Sequence, residues 1–431
     1  MNICMFTNTY VPHVGGVAKS VASFEKDLRK LGHKVLVIAP TFPGIPGDED
    51  EERVLRVPAI QKFNGSDFSA RIPIPFLINQ KIDEFCPDII HSHHPYLIGD
   101  TAIRTAARRY LPIVFTHHTL YEEYAHYVSS SRVMKKFVIR LSTDYANCST
   151  CVVAPSKSIA DLIRQRGVTT PVAEIPTGID YDEFQKGDGT RFRKKAGIDE
   201  GVDLIGHVGR LAPEKNLGFL ADAVKIYLKT NSRAKFLVVG DGPDSEKIKK
   251  TFEKDNLAKS LVMTGKQTGG DLVDAYHAMD LFVFSSLSET QGLVVAEAMA
   301  AGNPVIALNA SGVREVVSDN ENGRLLPARA SVKEFSDVVS DYFKNRDRSV
   351  FWRNNALETA KKFDRMKMAV KMAQLYERTL QKKLKPEHEY NSVFDRWENL
   401  LHLLKAEWDL LSSKVGAIAD SIGFDENHYK K

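Results

Sequence analysis

Short apolar runs alternate with segments of helical periodicity along most of this chain. Residues 2–6 form the first run, residues 17–30 carry apolar side chains at helical spacing, and residues 35–39 form the next run. The alternation continues through apolar runs at residues 88–91, 113–116, 151–154, 203–209, 236–240, 261–264, 281–284 and 304–308. Strands that alternate with helices pair in parallel, so the pattern predicts an α/β fold built on parallel sheets.

The alternation falls into two sets of similar size, which predicts two domains within the 431 residues. Residues 185–202 lie between the sets and contain few apolar side chains, so we interpret them as an interdomain linker. We predict one Rossmann-like, doubly wound domain at residues 1–185 and a second at residues 186–363, with a cleft between them. Ligands of such sheets bind outside the carboxyl ends of the strands, and the loops at those ends therefore hold the candidate site residues.

The last part of the chain has a different pattern. Apolar residues recur in alternating steps of four and three from residue 390 to residue 418, as in a heptad repeat, and Pro386 precedes them. This pattern predicts a helical tail at residues 386–431. Its apolar stripe either docks on the body of the same chain, pairs with a second copy in a homodimer, or faces a membrane.

Charge and hydropathy exclude several classes of protein. Lys and Arg total 59 and Asp and Glu total 55, a net charge of +4 that is too small for a dedicated nucleic-acid binder. No run approaches the roughly 20 apolar residues of a membrane-spanning helix, and the N-terminal residues do not follow the pattern of a signal peptide. We therefore expect a cytoplasmic protein that does not bind nucleic acid.

Three patterns are compatible with a metal site, and each has a simpler interpretation. Cys148 and Cys151 have the spacing of a zinc or redox pair, but no second pair accompanies them and Cys151 opens an apolar run. Residues 48–50 have the Asp-x-Asp spacing, but they lie in an acidic stretch typical of a solvated loop. The third pattern is a group of histidines at the end of a predicted strand, namely His91, His93 and His94. We predict that the protein binds no metal.

The most specific motif lies at residues 286–305. It follows a predicted strand, turns at Gly292, continues as a helix and stops at Gly302 before another strand. Amide groups at the start of a helix can bind a diphosphate, and ionised carboxylates accept hydrogen bonds from hydroxyl groups. Glu289 in the loop and Glu297 in the helix are therefore candidates for binding hydroxyl groups beside a diphosphate.

Three shorter motifs also follow predicted strands. The sequence Gly-Arg-Leu-Ala-Pro-Glu-Lys-Asn-Leu contains Arg210 and Lys215, two cations suited to neutralise a diphosphate. Gly15 and Gly16 open a predicted helix, where glycine lets the backbone approach a phosphate, but their spacing fits neither the dinucleotide fingerprint nor the P-loop. The third motif is Thr-His-His-Thr at residues 116–119.

Together these motifs resemble those of the family 4 retaining glycosyltransferases, which have the GT-B fold. The resemblance rests on Glu-x7-Glu within Ser-x-x-Glu-Thr-Gln-Gly-Leu and Glu-Ala-Met-Ala-Ala-Gly-x-Pro-Val, and on Gly-Arg-Leu-x-x-Glu-Lys-Asn. It covers roughly residues 1–383. It implies that the first domain binds the acceptor and the second the nucleotide sugar, and that a helix at residues 364–385 crosses back to the first domain.

The resemblance also implies roles for individual residues. Arg210 and Lys215 would stabilise the leaving nucleoside diphosphate, His118 would lie beside the donor sugar, and Glu289 would contact hydroxyl groups of that sugar. The residues implied to bind the rest of the donor are Gly16, Glu297, Thr290, Gln291, Gly292 and Leu293. The nucleotide sugar is a substrate, and no cofactor or metal is expected, because cations and helix amides take the place of a metal in this fold.

Two features indicate a lipid acceptor. Residues 119–127, which include Tyr121 and Tyr124, and the sequence Glu-Thr-Gln-Gly-Leu-Val resemble the diacylglycerol glucosyltransferase branch of the family. The next predicted helix alternates basic and apolar residues, as interfacial membrane helices do, and its basic residues are Arg132, Lys135, Lys136 and Arg140. A helix that packs on the domain with a charged outer face has the same pattern, so both interpretations stay open.

We therefore predict a retaining, metal-independent hexosyltransferase. It would transfer a hexose from a nucleotide sugar, with UDP-glucose or UDP-galactose favoured, to a hydroxyl group of a membrane lipid such as diacylglycerol. It would work in the cytoplasm at the inner face of the cytoplasmic membrane, in peripheral contact with anionic lipid. Two alternatives stay open: a GDP-mannose-dependent or other transferase that acts on a soluble glycan or polysaccharide precursor, and a nucleotide-sugar-binding scaffold whose tail binds a partner.

Overall fold

The structure is a computed structural model. It describes residues 1–13, 15–42, 53–60, 70–71, 75–124, 132–381 and 414. The chain forms two units, of which the first comprises Met1–Thr177 and Met368–Lys431 and the second Gly178–Lys367. The Asp-x-Asp sequence at residues 48–50 and the apolar stripe of the tail lie outside the described residues.

The first unit contains a parallel sheet with helices on both faces. Its strands are β1 (Asn2–Phe6), β2 (Lys34–Pro40), β3 (Val54–Val57), β4 (Ala59–Ile60), β5 (Ala70–Arg71), β6 (Ile89–Ser92), β7 (Ile113–Thr116), β8 (Cys151–Ala154) and β9 (Val172–Glu174). Its first helices are α1 (Gly16–Lys30), α2 (Pro75–Phe85), α3 (Ile98–Arg108), α4 (Tyr121–Tyr124), α5 (Arg132–Asn147) and α6 (Lys157–Gln165).

The second unit repeats this arrangement. Its strands are β10 (Asp203–Val208), β11 (Ala234–Val239), β12 (Leu261–Gly265), β13 (Leu281–Phe284), β14 (Val305–Leu308) and β15 (Gly323–Leu326). Its helices are α7 (Tyr181–Phe184), α8 (Gly189–Lys195), α9 (Leu217–Thr230), α10 (Ser245–Lys254), α11 (Gly269–Ala278), α12 (Leu293–Ala300), α13 (Val332–Lys344) and α14 (Arg346–Ala360). The last helix of the described chain, α15 (Arg365–Gln381), begins in the second unit and belongs to the first from Met368 onward.

Among the described residues, seven parallel strands form the main sheet of the first unit, in the order β3-β2-β1-β6-β7-β8-β9, and β4 and β5 form a separate antiparallel pair. Successive residues of β1 face opposite sides, with Cys4 and Phe6 in one core cluster and Ile3 and Met5 in the other. Because both faces are covered, the strands are apolar nearly throughout. The strand order reverses between β1 and β6. A ligand crevice is expected at this point, outside the carboxyl ends of the two strands.

Helix α15 covers one face of that sheet. Met368, Met372 and Tyr376 recur at helical spacing and are buried in the cluster that contains Ile3 and Met5. The helix is therefore part of the core of the first unit, although it lies at the far end of the described sequence.

Six parallel strands form the sheet of the second unit, in the order β12-β11-β10-β13-β14-β15. The order reverses between β10 and β13. The paired residues of these two strands are Ile205 with Leu281 and Gly206 with Phe282, so the pairing stops two residues before β10 ends. The two strands thus separate at the carboxyl edge of the sheet.

Residues 185–202 are not the linker that their polar composition predicted. They contain α8, and both Phe192 and Ile198 are buried in the core of the second unit. The polar side chains bind within the same unit, as in the ion pair between Arg193 Nη2 and Asp280 Oδ2 at 2.8 Å. Composition misled here because three buried apolar residues, Phe192 in α8 and Ile198 and Val202 after it, are enough to hold this short segment on the unit.

One residue of the predicted tail is described. Lys414 Nζ lies 2.6 Å from Asp100 Oδ2, at the start of α3 in the first unit. Within the described part of the chain, no helix is both long enough and apolar enough to span a membrane.

We predict that Met372→Ala destabilises the first unit by about 2–5 kcal/mol, the usual cost of truncating a large buried aliphatic side chain. The midpoint of urea unfolding, followed by circular dichroism, measures the effect. Val370→Ala is the matched control, because Val370 is 37% exposed on the same helix; its effect should stay within about 0.5 kcal/mol. Equal effects of the two variants would contradict the packing of α15.

Candidate functional site

The loop after β10 is held on the loop after β11 by backbone hydrogen bonds. The Gly209 amide donates to Val239 O at 3.0 Å, and the Leu211 amide donates to Asp241 O at 2.9 Å. Gly240 has a φ of +142°, and a Cβ atom there would lie 1.9 Å from Gly209 O, so only glycine fits. These contacts hold the Gly-Arg-Leu motif at the carboxyl edge of the sheet.

Two of the predicted catalytic residues meet at this edge. Lys215 ends the short 3-10 turn after β10, Glu289 follows β13, and Lys215 Nζ lies 2.5 Å from Glu289 Oε1. Their side chains are only 17% and 16% exposed, so the attraction is screened less than that of a surface pair. Ser285 Oγ donates to Lys215 O at 3.0 Å and ties the two loops together. Arg210, in the same loop as Lys215, is exposed.

Helix α12 begins at the same edge without a side-chain cap. Its N-cap residue is Gly292, whose φ of +72° favours glycine, and no side chain binds the amides of the first turn from that position. Gly312 packs beneath the preceding loop, since a Cβ atom there would lie 2.5 Å from Gln291 N. Thr290 and Leu293 are half-buried on either side of this turn. An uncapped helix start of this kind presents N–H groups suited to an anion.

Glu297 lies inside the second unit and is 3% exposed. Tyr276 Oη donates a hydrogen bond to Glu297 Oε2 at 3.0 Å. Burial and the adjacent carboxylate raise the pKa of Tyr276 well above its usual range, so its hydroxyl keeps its proton and stays a donor. The two glutamates of the motif therefore have different environments, an ion pair for Glu289 and a buried phenol for Glu297.

His207 is a polar residue at this edge that sequence analysis did not select. Beyond the point where β10 and β13 stop pairing, His207 Nδ1 donates to Val283 O at 3.1 Å. Its Nε2 is buried and has no hydrogen-bond partner among the described residues. Burial lowers the pKa of His207 to about 4, so the ring is neutral at pH 7. The available signal was a histidine in an apolar strand, two positions before the Gly-Arg-Leu motif.

In the first unit, histidines gather at the carboxyl ends of β6 and β7. They are His91, His93, His94, His117 and His118. Burial lowers the pKa of each of them, to about 3 for His91 and His94 and to about 4 for His117. The rings are therefore neutral at pH 7. His118 is half-buried, and its Nε2 lies 2.9 Å from His93 Nδ1.

Two of these histidines, His91 and His94, are hydrogen-bonded to other polar groups. His94 Nδ1 accepts a hydrogen bond from the Asn8 amide at 3.1 Å, and His91 is bound by two hydroxyl groups. The four cysteines are all in described segments and form no disulfide, and Cys151 is buried in β8. Among the described residues, no three His, Cys, Asp or Glu side chains are grouped so that they could hold a metal ion.

Gly16 begins α1 after the glycine-rich loop of the first unit. It is exposed, and a Cβ atom there would meet nothing within 4 Å. Its N-cap, Gly15, offers no side-chain cap, and Val14 lies outside the described residues. This helix start resembles that of α12 in having no side-chain cap.

The residues proposed to bind acceptor or membrane lie in different environments. Tyr121 is buried, and its ring packs edge-on against His117, so it lies inside the first unit rather than on its surface. On α5, Lys135 is half-buried, Lys136 and Arg140 are exposed, and the neighbouring Val133 is 46% exposed. The side chains that lie outside the described part are Tyr124 and Arg132.

Both units match known protein families. Residues 14–183 match the model described as Glycosyltransferase Family 4, and residues 188–359 match Glycosyl transferases group 1. These two matches correspond to the two parallel sheets.

Relatives of known activity agree with the family matches. An alpha-monoglucosyldiacylglycerol synthase of Streptococcus pneumoniae is 30% identical over 338 residues, which cover 75% of this chain and 75% of the relative. A GDP-mannose-dependent alpha-mannosyltransferase of Mycobacterium tuberculosis is 28% identical over 357 residues, which cover 81% and 89% of the two chains. The solved structure of Anabaena HepE with UDP and glucose has a TM-score of 0.70 over 88% of this chain and 99% of that chain, at 21% identity, and shows the shared fold.

Two Rossmann-like units with these matches define a glycosyltransferase of GT-B fold. The chain belongs to the family 4 glycosyltransferases and is similar to the diacylglycerol glucosyltransferase branch. The fold class and the family predicted from the sequence are thereby confirmed.

We predict that the protein loses stability steeply as the pH falls below about 6.5, the usual pKa of histidine. The pKa of His207 is lowered to about 4 in the folded chain, so between these values the unfolded chain binds more protons. The stabilisation is complete above pH 6.5 and decreases toward pH 4, by about 1.4 kcal/mol per pH unit for one such histidine.

Urea unfolding of the wild type and His207→Asn at pH 7.5, 6.5 and 5.5 measures this slope. Asparagine keeps a donor for Val283 O but does not titrate, so the variant should lose one histidine's share of the pH dependence. An unchanged slope would show that His207 is protonated as readily in the folded chain as in the unfolded one.

Proposed function

We propose that this chain is a retaining glycosyltransferase that transfers a hexose from a nucleotide sugar to a hydroxyl group of a membrane lipid. UDP-glucose or UDP-galactose is the favoured donor and diacylglycerol the favoured acceptor. The observation that carries the proposal is the Lys215–Glu289 pair, which places a cation and a carboxylate at the sheet edge where α12 starts. The name of the Streptococcus pneumoniae relative supports a glucosyl group and a diacylglycerol acceptor.

Binding of the donor would exchange the partners of Lys215. Its ammonium group would leave the Glu289 carboxylate for the diphosphate, which carries more negative charge. The exposed guanidinium of Arg210 would bind the same diphosphate in a bidentate manner, and the amides at the start of α12 would add neutral donors. Glu289 would then accept hydrogen bonds from hydroxyl groups of the hexose. Donor binding would thus convert an ion pair into a site for both halves of the nucleotide sugar.

Glu297 is assigned to the ribose hydroxyls of the donor. Its hydrogen bond from Tyr276 orients the carboxylate, because one oxygen is held by a buried phenol. A carboxylate fixed in this way accepts hydrogen bonds from paired hydroxyl groups without losing side-chain entropy on binding.

The proposed reaction proceeds on one face of the sugar. The bond from the anomeric carbon to the diphosphate oxygen breaks, and the acceptor oxygen bonds to the same carbon from the same side. The acceptor proton passes to a phosphate oxygen of the leaving nucleoside diphosphate. Arg210 and Lys215 offset the charge that develops on that group, which is the role a metal has in other glycosyltransferases. We therefore propose a metal-independent enzyme with no cofactor.

A second candidate keeps the same chemistry but changes both substrates. The Mycobacterium tuberculosis relative is named for GDP-mannose, which favours a GDP-mannose-dependent transfer to a soluble glycan as the alternative. A nucleotide-sugar-binding scaffold would bind the donor at the same residues without turnover.

The test is transfer of labelled hexose from UDP-glucose, UDP-galactose and GDP-mannose into an organic-extractable product, with vesicles that contain diacylglycerol. We expect labelled lipid with one UDP-hexose, and a loss of about 10²–10³-fold in kcat for Glu289→Gln and Lys215→Ala. Lys195→Ala and Asp271→Asn are matched controls, because this ion pair of the same unit is exposed.

Three results would reject parts of the proposal. Near-normal turnover in Glu289→Gln or Lys215→Ala would remove these residues from the mechanism. Labelled water-soluble product from GDP-mannose when a soluble glycan replaces the vesicles, with no labelled lipid, would favour the second candidate. Nucleotide-sugar binding without transfer to any acceptor would favour the scaffold.

We also propose that α5 contacts anionic lipid at the inner face of the cytoplasmic membrane. Among the described side chains of this helix, Lys136 and Arg140 are the exposed cations. Because each cation near such a surface contributes about 1 kcal/mol, the double variant Lys136→Gln/Arg140→Gln should bind anionic vesicles roughly 30-fold more weakly. Cosedimentation with vesicles measures this loss.

The control has the same change in net charge at a different place. Lys157→Gln/Arg164→Gln removes two exposed cations from α6 of the same unit. Equal losses in the two double variants would mean that net charge, rather than α5, governs membrane binding.

The tail is proposed to dock on its own chain rather than to form a homodimer. The ion pair of Lys414 with Asp100 supports this, because it joins the tail to α3 of the first unit.

A further inference from the structure

A continuous set of contacts joins His118 to helix α15 inside the first unit. His118 Nε2 lies 2.9 Å from His93 Nδ1, and the ring centroids of His93 and His91 are 4.0 Å apart. His91 Nδ1 in turn lies 2.6 Å from Tyr376 Oη, and its Nε2 lies 2.7 Å from Thr116 Oγ1. The residue implied to lie beside the donor sugar is therefore linked to the buried core through two further histidines.

Tyr376, at the α15 end of this set of contacts, determines which nitrogen of His91 carries the proton. Burial raises the pKa of Tyr376, so its hydroxyl keeps its proton, and a phenol is a better donor than acceptor. Tyr376 is assigned as the donor to His91 Nδ1, because the described residues offer its proton no other acceptor. Because the His91 ring is neutral, its single proton lies on Nε2 and is donated to Thr116 Oγ1. His91 is fixed at both nitrogens and gives His93 a rigid ring to pack against.

At the other end, the hydrogen bond between His93 and His118 can be formed in two ways, with either ring as the donor. Both rings are neutral, so each carries one proton, and the 2.9 Å contact needs a donor on one side and a lone pair on the other. If His118 donated, the proton of His93 would lie on Nε2. That atom is buried and has no hydrogen-bond partner among the described residues.

An unpaired buried N–H group is rarer in proteins than an unpaired acceptor. The favoured arrangement therefore has the proton of His93 on Nδ1, where it is donated to His118 Nε2. The unpaired Nε2 of His93 is then only a lone pair. In consequence, the proton of His118 lies on its other nitrogen, Nδ1.

We propose that His93 is a positioning residue that holds His118 in the Nδ1–H tautomer. His118 would then act on the donor as a hydrogen-bond donor through Nδ1 and not as a base, because its one lone pair is occupied by His93. This inference rests on the proposed function, and the position of His118 beside the donor sugar is the one that the family resemblance implies. It agrees with a reaction in which a phosphate oxygen, rather than a histidine, takes the acceptor proton.

Two variants of similar size separate positioning from packing. In His93→Asn the side-chain amide can still donate to His118 Nε2, whereas His93→Leu removes the donor. Nitrogen-15 NMR of histidine-labelled protein distinguishes the tautomers, and the His118 signals are assigned by their loss in His118→Gln. We expect the Nδ1–H form in the wild type and in His93→Asn, and a shift toward the Nε2–H form in His93→Leu. Tyr376→Phe is the control and should leave the tautomer of His118 unchanged.

Hexose transfer gives the second measurement. We expect kcat to fall at least tenfold in His93→Leu with KM for the nucleotide sugar within about twofold, and to be largely retained in His93→Asn. Equal losses in the two variants would mean that His93 acts only through packing, and an Nε2–H form of His118 in the wild type would overturn the proposal even if His93→Leu fails to fold.

The two measurements also separate this inference from the proposed function. The NMR result does not depend on turnover, so an Nδ1–H form of His118 that responds to His93 would stand even if no sugar were transferred. In that case the tautomer assignment would hold and the role of His118 toward the donor would be rejected.

Discussion

The strands of each main sheet all run in one direction, and the positions of the candidate site residues follow from this constraint. Parallel strands bring their following loops to one edge, so Lys215 after β10 and Glu289 after β13 become neighbours. The reversal of strand order between β10 and β13 lets the two strands separate there. Where the backbones of β10 and β13 no longer pair, the side chain of His207 donates a hydrogen bond to Val283 O. A change in strand order would separate all of these groups.

Burial then determines the charge of the polar groups at these edges. Imidazoles that are shielded from water stay neutral, so the buried histidines of the first unit are hydrogen-bonding groups rather than charges at pH 7. Lys215 and Glu289 form an ion pair in which each charge offsets the other. The first unit therefore contains a neutral hydrogen-bonding network, and the second contains a charge pair.

Much of this arrangement could be predicted from the sequence, and the failures have specific physical causes. The motif residues were found because short glycine-rich loops after apolar strands have a recognisable local pattern. Residues 185–202 were misinterpreted because their few large apolar side chains, Phe192, Ile198 and Val202, are buried in the core. His207 was missed because a single histidine in a strand carries no periodic signal. The burial of Tyr121 was not predicted because its ring packs against Tyr96, from a distant loop, as well as against His117.

The sequence by itself determined the alternation of strands and helices, the family and the chemical types available at each strand end, because these depend on local periodicity and short motifs. Tertiary structure alone decided which of them meet. Lys215 and Glu289 are 74 positions apart, and His91 and Tyr376 are 285 positions apart. Such contacts depend on strand order and on the return of α15 to the first sheet. Local sequence does not encode these features, because they arise from the burial of apolar surfaces between distant parts of the chain.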